Sequence, residues 1–328
     1  MKTWLLRLTI GLAVACGGAS GGSGGLSYTP VSATTDATAT YYTLDLGALK
    51  MVIDASVGAR ITEFSLNGTN VLTGPDVDPA NYGGTYWPSP QSSWCQSGTG
   101  CWPAPGPIDN RRYTGSIDPA TNVIELTSGT ALIAGFQDSA VTVTKRFTPV
   151  PASGAVDVTY TLSNVSPSVA VSVAPWQVSR VRATGGLTFF ASPDGSATYN
   201  GGSDPAFTFA AADGALWYES SAVATDSKAL ADGSGWIAHV TDGGLLYLLA
   251  YPDIQPSEAA PGEAEVEVFT GPSADYQEME PQGAYTAVPP GGTLVWTVRW
   301  KLRPVPSGTS VAVGSADLVS FTSAALAE

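Results

Sequence analysis

Two glutamates in the segment Asp275–Tyr285 carry the clearest acid–base chemistry in the chain. Glu278 and Glu280 lie two residues apart in DYQEMEPQGAY, so a strand would place both carboxylates on one face. Neighbouring carboxylates resist simultaneous ionisation, and one of them can keep a raised pKa suited to proton transfer. The alternative is a solvent-facing row of acids, which is how we interpret the glutamates just upstream, Glu263, Glu265 and Glu267.

A second candidate group lies in Ser172–Arg182, SVAPWQVSRVR. Strand alternation predicts Trp176 and Val178 on one face and Gln177 and Ser179 on the other. Arg180 follows near the end of the same strand. Its guanidinium suits two-point binding to ligand hydroxyls or to a carboxylate. The other interpretation is that Arg180 pairs with a carboxylate at the edge of the core.

The tryptophan segment, Asn81–Tyr113, holds three of the nine tryptophans and five prolines. So many prolines argue against a regular helix or strand, whereas the aromatic content argues against a disordered linker. We therefore predict an ordered functional loop. Flat rings beside amide and guanidinium groups suit a sugar, and the candidate ligand residues are Trp87, Gln91, Trp94, Trp102 and Arg111. Alternatively, the tryptophans only cap one end of a β-sandwich.

The cysteines and the single histidine point to a disulfide and away from a metal site. Cys95 and Cys101 have five residues between them, and in an exported protein such a pair favours a disulfide. Zinc is the competing interpretation, but two cysteines and one histidine make a poor ligand set. A lone histidine in an apolar strand, His239, is more often structural than catalytic. We expect no metal and no cofactor, since no phosphate loop, nucleophile elbow or HExxH motif is present.

The N-terminus carries the features of an export signal. Residues 1–15 combine Lys2 and Arg7 with an apolar run too short to span a membrane. Ala13-Val14-Ala15-Cys16 resembles a bacterial lipobox, which implies lipidation of Cys16 and a lipid anchor in the membrane of the cell envelope. Residues 16–39 then form a tether that begins with Gly/Ser repeats. An ordinary secretory signal cleaved nearby is the alternative.

The remaining chain, residues 40–328, predicts a single all-β domain. Apolar and polar residues alternate with period two from Tyr41 onward, and turn signals such as Asn67-Gly68 separate the runs. More than a dozen predicted strands and no long amphipathic helix indicate a large two-sheet antiparallel β-sandwich. The net charge of −14 argues against nucleic acid as a partner.

Several segments together resemble the galactose-mutarotase-like (aldose 1-epimerase-like) superfamily. The strand pair from Gly58 to Leu72 is similar to the opening of aldose 1-epimerases. A more specific likeness, to a bacterial domain family of that superfamily, rests on Tyr86–Gln91, Ala174–Arg180, Glu278–Gly283 and Thr297–Trp300. The resemblance implies a β-supersandwich with a carbohydrate cleft on one sheet. It also implies that Glu278 or Glu280 takes the place of the family's late glutamate, but the matching segment 175–180 contains no catalytic histidine.

Three hypotheses follow from the sequence. The first is an envelope lipoprotein that binds an oligo- or polysaccharide in a mutarotase-like cleft. Here Trp87, Trp94, Trp102 and Trp176 would supply stacking faces, and Gln91, Gln177, Arg111, Arg180 and the two glutamates would supply polar contacts. The second is an epimerase or polysaccharide-cleaving enzyme that uses Glu278 and Glu280. The third is a structural envelope protein whose tryptophan segment buries itself.

Overall fold

The computed structural model describes residues 26–95, 101–133, 139–200, 209–212, 214–219, 226–271 and 276–328. The signal sequence and Cys16 lie outside these ranges, so their roles stay predictions. The strands are β1 (Ser32–Thr35), β2 (Tyr41–Leu46), β3 (Leu49–Asp54), β4 (Arg60–Leu66), β5 (Thr69–Asn70), β6 (Gly84–Ser89), β7 (Thr114–Asp118), β8 (Val123–Thr127), β9 (Ala131–Leu132), β10 (Ala140–Val150), β11 (Ala155–Asn164), β12 (Val171–Arg182), β13 (Leu187–Ala191), β14 (Thr198–Asn200), β15 (Phe209–Ala212), β16 (Ala215–Glu219), β17 (Ser227–Ala231), β18 (Trp236–Val240), β19 (Leu245–Ala250), β20 (Val266–Thr270), β21 (Tyr276–Pro281), β22 (Thr286–Val288) and β23 (Thr293–Pro304). The helices are α1 (Gly106–Asp109) and α2 (Ala316–Ala327), with 3₁₀ turns at Gln91–Trp94, Pro151–Ser153 and Pro256–Glu258.

The described strands form two large antiparallel sheets, which confirms the predicted all-β sandwich. The first sheet has the order β1-β2-β3-β4-β6-β12-β21-β20-β17-β14, with β5 beside β4 and β22 beside β12. The second sheet has the order β15-β16-β13-β18-β19-β23-β11-β10-β8-β7, with β9 beside β10. Residues 32–35, which the sequence placed in the tether, pair with β2 as an edge strand.

The inner faces of the two sheets pack on each other and make the main core. Tyr86 of the first sheet stacks on Tyr160 of the second at a centroid distance of 4.7 Å, and Phe64 meets Trp300 edge-on at 5.4 Å. The core cluster extends from Tyr42 to Ala325. Burial of apolar area between the sheets is the main force that holds them together. It also leaves the opposite face of the first sheet, which we call the outer face, available for a site.

One strand lies where the prolines argued against any regular element. Gly84–Ser89 of the tryptophan segment forms β6, near the middle of the first sheet. Its Pro88 lies opposite Pro175 of β12. On its other side β6 pairs with β4 only at Gly84, so Pro88 lies beyond the paired end. A missing N–H is therefore tolerated there.

The C-terminal helix α2 was not expected from the sequence. The Ser315 hydroxyl accepts a hydrogen bond from the backbone N–H of Leu318 and caps the helix. Leu318 and Ala325 are buried against the core, and Lys301 donates to the carbonyl of Ala325. Small residues dominate the helix, so its apolar stripe is weak. No helix within the described ranges is long and apolar enough to cross a membrane.

Candidate functional site

The central strands of the first sheet bring the sequence-predicted residues together on the outer face. Trp87 of β6 lies opposite Trp176 of β12, and Arg180 of β12 lies opposite Glu278 of β21. The inner face is marked by Ser179, whose hydroxyl is 2.7 Å from the phenol oxygen of Tyr247 in the second sheet. Alternation along the strands then puts Trp176, Arg180 and Glu278 on the outer face. The predicted facing of the Ser172–Arg182 strand is confirmed.

Three tryptophans form a buried cluster on this face. Trp94 stacks on Trp176 with ring centroids 5.7 Å apart, and Trp87 meets both rings edge-on at 5.2 to 5.6 Å. All three are at most 3 % exposed. Each indole N–H has an acceptor: Asp109 for Trp87, the Pro88 carbonyl for Trp94 and Glu280 for Trp176. The three rings are buried and their indole N–H groups are all hydrogen-bonded, as is typical of core tryptophans.

Trp102 differs from the other tryptophans of the segment because it remains 49 % exposed. Its ring contacts Trp87 edge-on at 5.4 Å and lies tilted beside Trp94 at 6.1 Å. The buried cluster therefore supports a ring whose remaining surface faces solvent. Of the four predicted stacking residues, Trp102 alone offers a ligand accessible aromatic surface without a rearrangement.

The predicted disulfide between Cys95 and Cys101 is confirmed. Cys95 directly follows Trp94, and Cys101 directly precedes Trp102. The bond thus ties the residue next to the buried ring to the residue next to the exposed ring. Residues 96–100 between them lie outside the described ranges.

Arg180 and Glu278 form a buried ion pair. The Nε of Arg180 is 2.7 Å from Oε1 of Glu278, and its Nη1 is 3.2 Å from the hydroxyl of Thr85. The guanidinium carbon lies 5.1 Å from the Trp87 ring centroid. Of the two sequence interpretations for Arg180, the pairing with a carboxylate is the one observed. The two charges neutralise each other beneath the tryptophan cluster.

Glu280 belongs to a second buried group, which contains two carboxylates and one lysine. Lys228 of β17 lies 3.0 Å from Oε2 of Glu280 and 2.5 Å from Oε2 of Glu267, and its amine lies 4.5 Å from the Trp176 ring centroid. Burial raises the pKa of both Glu267 and Glu280, although Lys228 opposes the shift. Burial also lowers the pKa of Lys228, but the two carboxylates outweigh it and the pKa is raised.

The sequence analysis did not predict the burial of Glu267 or the role of Lys228 in this group. The sequence assigned Glu265 and Glu267 to a solvent-facing row, and that interpretation is wrong for both, since both are buried. Glu265 accepts hydrogen bonds from the backbone N–H groups of Gly233 and Gly235. Lys228 was not singled out at all, because a lysine among small residues of a strand usually faces solvent.

Other predicted ligand residues lie away from the cluster. Gln177 is buried on the inner face, where its amide donates to Ser179. The backbone N–H of Gln91 donates to Glu263, and its side chain is half-buried. Arg111 is exposed, and its carbonyl accepts from the N–H of Gly58.

His239, the only histidine of the chain, lies on the inner side of the sandwich. Its Nδ1 is 2.8 Å from the hydroxyl of Thr188, and burial lowers its pKa to about 3. It is therefore a neutral core residue, which is unsuited to the acid–base role that mutarotation needs. Among the described residues, no three His, Cys, Asp or Glu side chains converge as a metal site would require.

Several solved structures with the same architecture are described as aldose 1-epimerases or as related to galactose mutarotase. A candidate aldose 1-epimerase from Klebsiella pneumoniae matches with a TM-score of 0.56 at 11% identity, over 88% of this chain and 83% of its own. A galactose mutarotase-like protein from Clostridium acetobutylicum has a TM-score of 0.50 at 11% identity, over 84% and 99%. A galactose mutarotase related enzyme from Lactobacillus acidophilus has 0.51 at 9% identity, over 81% and 98%.

At these identities the likeness establishes the fold: the chain has the galactose-mutarotase-like β-sandwich. No family model matches the chain, and no curated protein sequence matches it either. The narrower resemblance to one bacterial domain family of that superfamily therefore stays a prediction.

Proposed function

We propose that this protein binds carbohydrate on the outer face of the first sheet and does so without turnover. The observation that carries the proposal is Trp102, a half-exposed ring held on a buried tryptophan cluster. An aromatic surface that is already in place can stack on a sugar ring with little loss of conformational entropy.

The fold and the position of the ring support this assignment. Two of the similar structures are described by names that refer to galactose mutarotase, and the resemblance led us to expect a sugar cleft on one of the two sheets. Trp102 is fixed on that face by Trp87, which lies opposite Trp176 in the central strands. A ligand there would meet the exposed ring first.

The charged residues of the face are arranged for stability more than for proton transfer. Arg180 and Glu278 are paired, and Glu280 is fully buried behind Trp176 and Lys228. Mutarotation requires one group to take the anomeric hydroxyl proton and another to protonate the ring oxygen. The only histidine lies on the inner face, so the acid–base pair expected for that reaction is not assembled. Binding without conversion is the activity that fits this arrangement.

A second candidate function is catalysis by Glu280, and one observation favours it. Burial raises the pKa of this carboxyl, which is a property of general acids. For this to operate, Trp94 would have to leave Trp176 and open a path to the carboxyl. Under this hypothesis a bound sugar is converted to another anomer, epimer or fragment, and Glu280→Gln abolishes turnover while it preserves affinity.

We further propose that the protein is anchored in a bacterial cell envelope through lipid on Cys16. The disulfide supports an oxidising compartment, and the Gly/Ser repeats after Cys16 suit a tether. Mass spectrometry of the mature N-terminus tests this point. A diacylglyceryl-modified Cys16 supports the anchor, and an unmodified residue at another cleavage site contradicts it.

Binding is tested by isothermal titration calorimetry with sugars identified from a broad glycan screen, on the wild-type chain and on Trp102→Ala. We expect the substitution to abolish or strongly weaken binding. Tyr41→Ala is the matched control, because Tyr41 is also about half exposed, at 48 %, but starts β2 near the edge of the sheet. Equal affinity in the wild type and Trp102→Ala would refute the proposal.

A further inference from the structure

A groove of about 400 Å³ opens at the turn that follows β6. One wall is the 3₁₀ turn after β6, where Ser92 and Ser93 precede Trp94 in the chain. Another wall is the start of β12 at Ser172, and Tyr285 and Pro261 also contribute. The volume lies within the range of small-ligand sites, about 300 to 1,000 Å³.

The lining of the groove combines hydroxyl groups with apolar surface. Four serines and one tyrosine contribute hydroxyls, and prolines, alanine, isoleucine and valine contribute the rest. Tyr285 is 36 % exposed, so its ring is accessible. The hydroxyl of Ser93 is buried and has no hydrogen-bond partner within the described residues. Such a surface can accept a ring with apolar faces and hydroxyl edges.

The described residues that line the groove carry no charge, although the chain is strongly acidic. The carboxylate of Glu263, which accepts a hydrogen bond from the backbone N–H of Gln91 at 2.8 Å, is not one of the lining residues. The net charge of the chain is −14. These lining residues offer no cation to balance an acidic ligand, and the overall field of the chain repels anions.

We infer that this groove is a second subsite for an uncharged oligosaccharide whose other end stacks on Trp102. The inference rests on the proposed function and extends it to the length and charge of the ligand. Continuity supports it, because Ser93 adjoins Trp94 and the Trp94 ring lies 6.1 Å from that of Trp102. One saccharide unit occupies Trp102 and a later unit of the same chain occupies the groove, with its ring against Tyr285.

The test measures affinity as a function of ligand length on the full-length chain. The probes are neutral gluco-, galacto-, manno- and xylo-oligosaccharides, from monosaccharide to hexasaccharide, with uronic-acid oligomers of matched length. For wild type we expect affinity to rise with length for the neutral series and uronic acids to bind more weakly. Tyr285→Ala should lower the affinity of the longest neutral ligand about tenfold, the scale of a lost aromatic contact. Its monosaccharide affinity should be unchanged.

A second variant fills the groove instead of removing a contact. Ser172 is exposed at the start of β12, so Ser172→Trp is compatible with the fold and should remove the gain from chain length. Tyr41→Ala serves as the control, and thermal unfolding confirms that each variant is folded. If Trp102→Ala loses binding while Tyr285→Ala and Ser172→Trp keep the wild-type length dependence, the groove inference is wrong and the proposed function stands. If the wild type binds no sugar, both are refuted.

Discussion

Trp94 and Trp102 provide the sharpest test of how the tryptophan segment is divided between stability and binding. Trp94 is 3 % exposed and Trp102 is 49 % exposed, so Trp94→Ala removes about twice as much buried ring. Truncation of a buried tryptophan costs about 3 to 5 kcal/mol, and Trp94→Ala also leaves the Pro88 carbonyl without its 2.7 Å donor. We expect a loss of about 4 kcal/mol in the free energy of unfolding for Trp94→Ala and about 2 kcal/mol for Trp102→Ala.

Urea unfolding followed by far-ultraviolet circular dichroism measures both losses without depending on tryptophan emission. An unchanged slope with urea concentration would show that only stability has shifted. Sugar affinity should follow the opposite order, since Trp102→Ala loses the accessible ring. The reasoning is refuted if Trp94→Ala destabilises the protein no more than Trp102→Ala, because Trp94 would then not be held in the cluster.

Three further outcomes follow from the buried charges and the disulfide. The raised pKa of Glu280 and Glu267 means that the folded state holds more protons than the unfolded chain. The free energy of unfolding should therefore fall as pH rises from about 4.5 toward the pKa of these carboxyls in the folded protein, by up to about 1.4 kcal/mol per pH unit for one proton. Urea titrations at several pH values measure this slope, and Glu280→Gln should flatten it. Lys228→Met leaves two buried carboxylates without their cation. We expect it to lower the free energy of unfolding by about 3 to 5 kcal/mol near neutral pH and by less in acid. A loss of stability independent of pH would argue against this ion pairing. Replacement of Cys95 and Cys101 by serine opens a small ring and should lower the free energy of unfolding by about 2 kcal/mol or less. We also expect weaker sugar binding. Unaltered binding would mean that the disulfide does not position Trp102.

Local sequence patterns predicted much of the fold and part of the site. Period-two alternation identified the sheets and placed Trp176 and Gln177 on opposite faces, because successive side chains of a strand point to opposite sides. The spacing of Cys95 and Cys101, together with the export signal, favoured the disulfide. The exceptions are β6, where cross-strand context tolerates Pro88, and α2, where small residues leave little helical pattern.

The partners within the site could not be predicted from local patterns. Arg180 and Glu278 lie 98 residues apart in the chain, and their pairing depends on the register of β12 against β21. The same holds for Glu280 and Lys228, which meet across β20. Trp94 and Trp102 are the same residue type in one segment, and only the packing of that segment on Trp176 makes one buried and the other exposed.

A glycan array probed in parallel with the wild-type chain and Trp102→Ala tests the central claim most directly. We expect the wild type to bind uncharged oligosaccharides, to release them chemically unchanged, and to lose this binding in the variant. A wild type that binds no glycan, while circular dichroism shows the β fold intact, would contradict the claim and favour a structural role. Equal binding by the two proteins would contradict it as well.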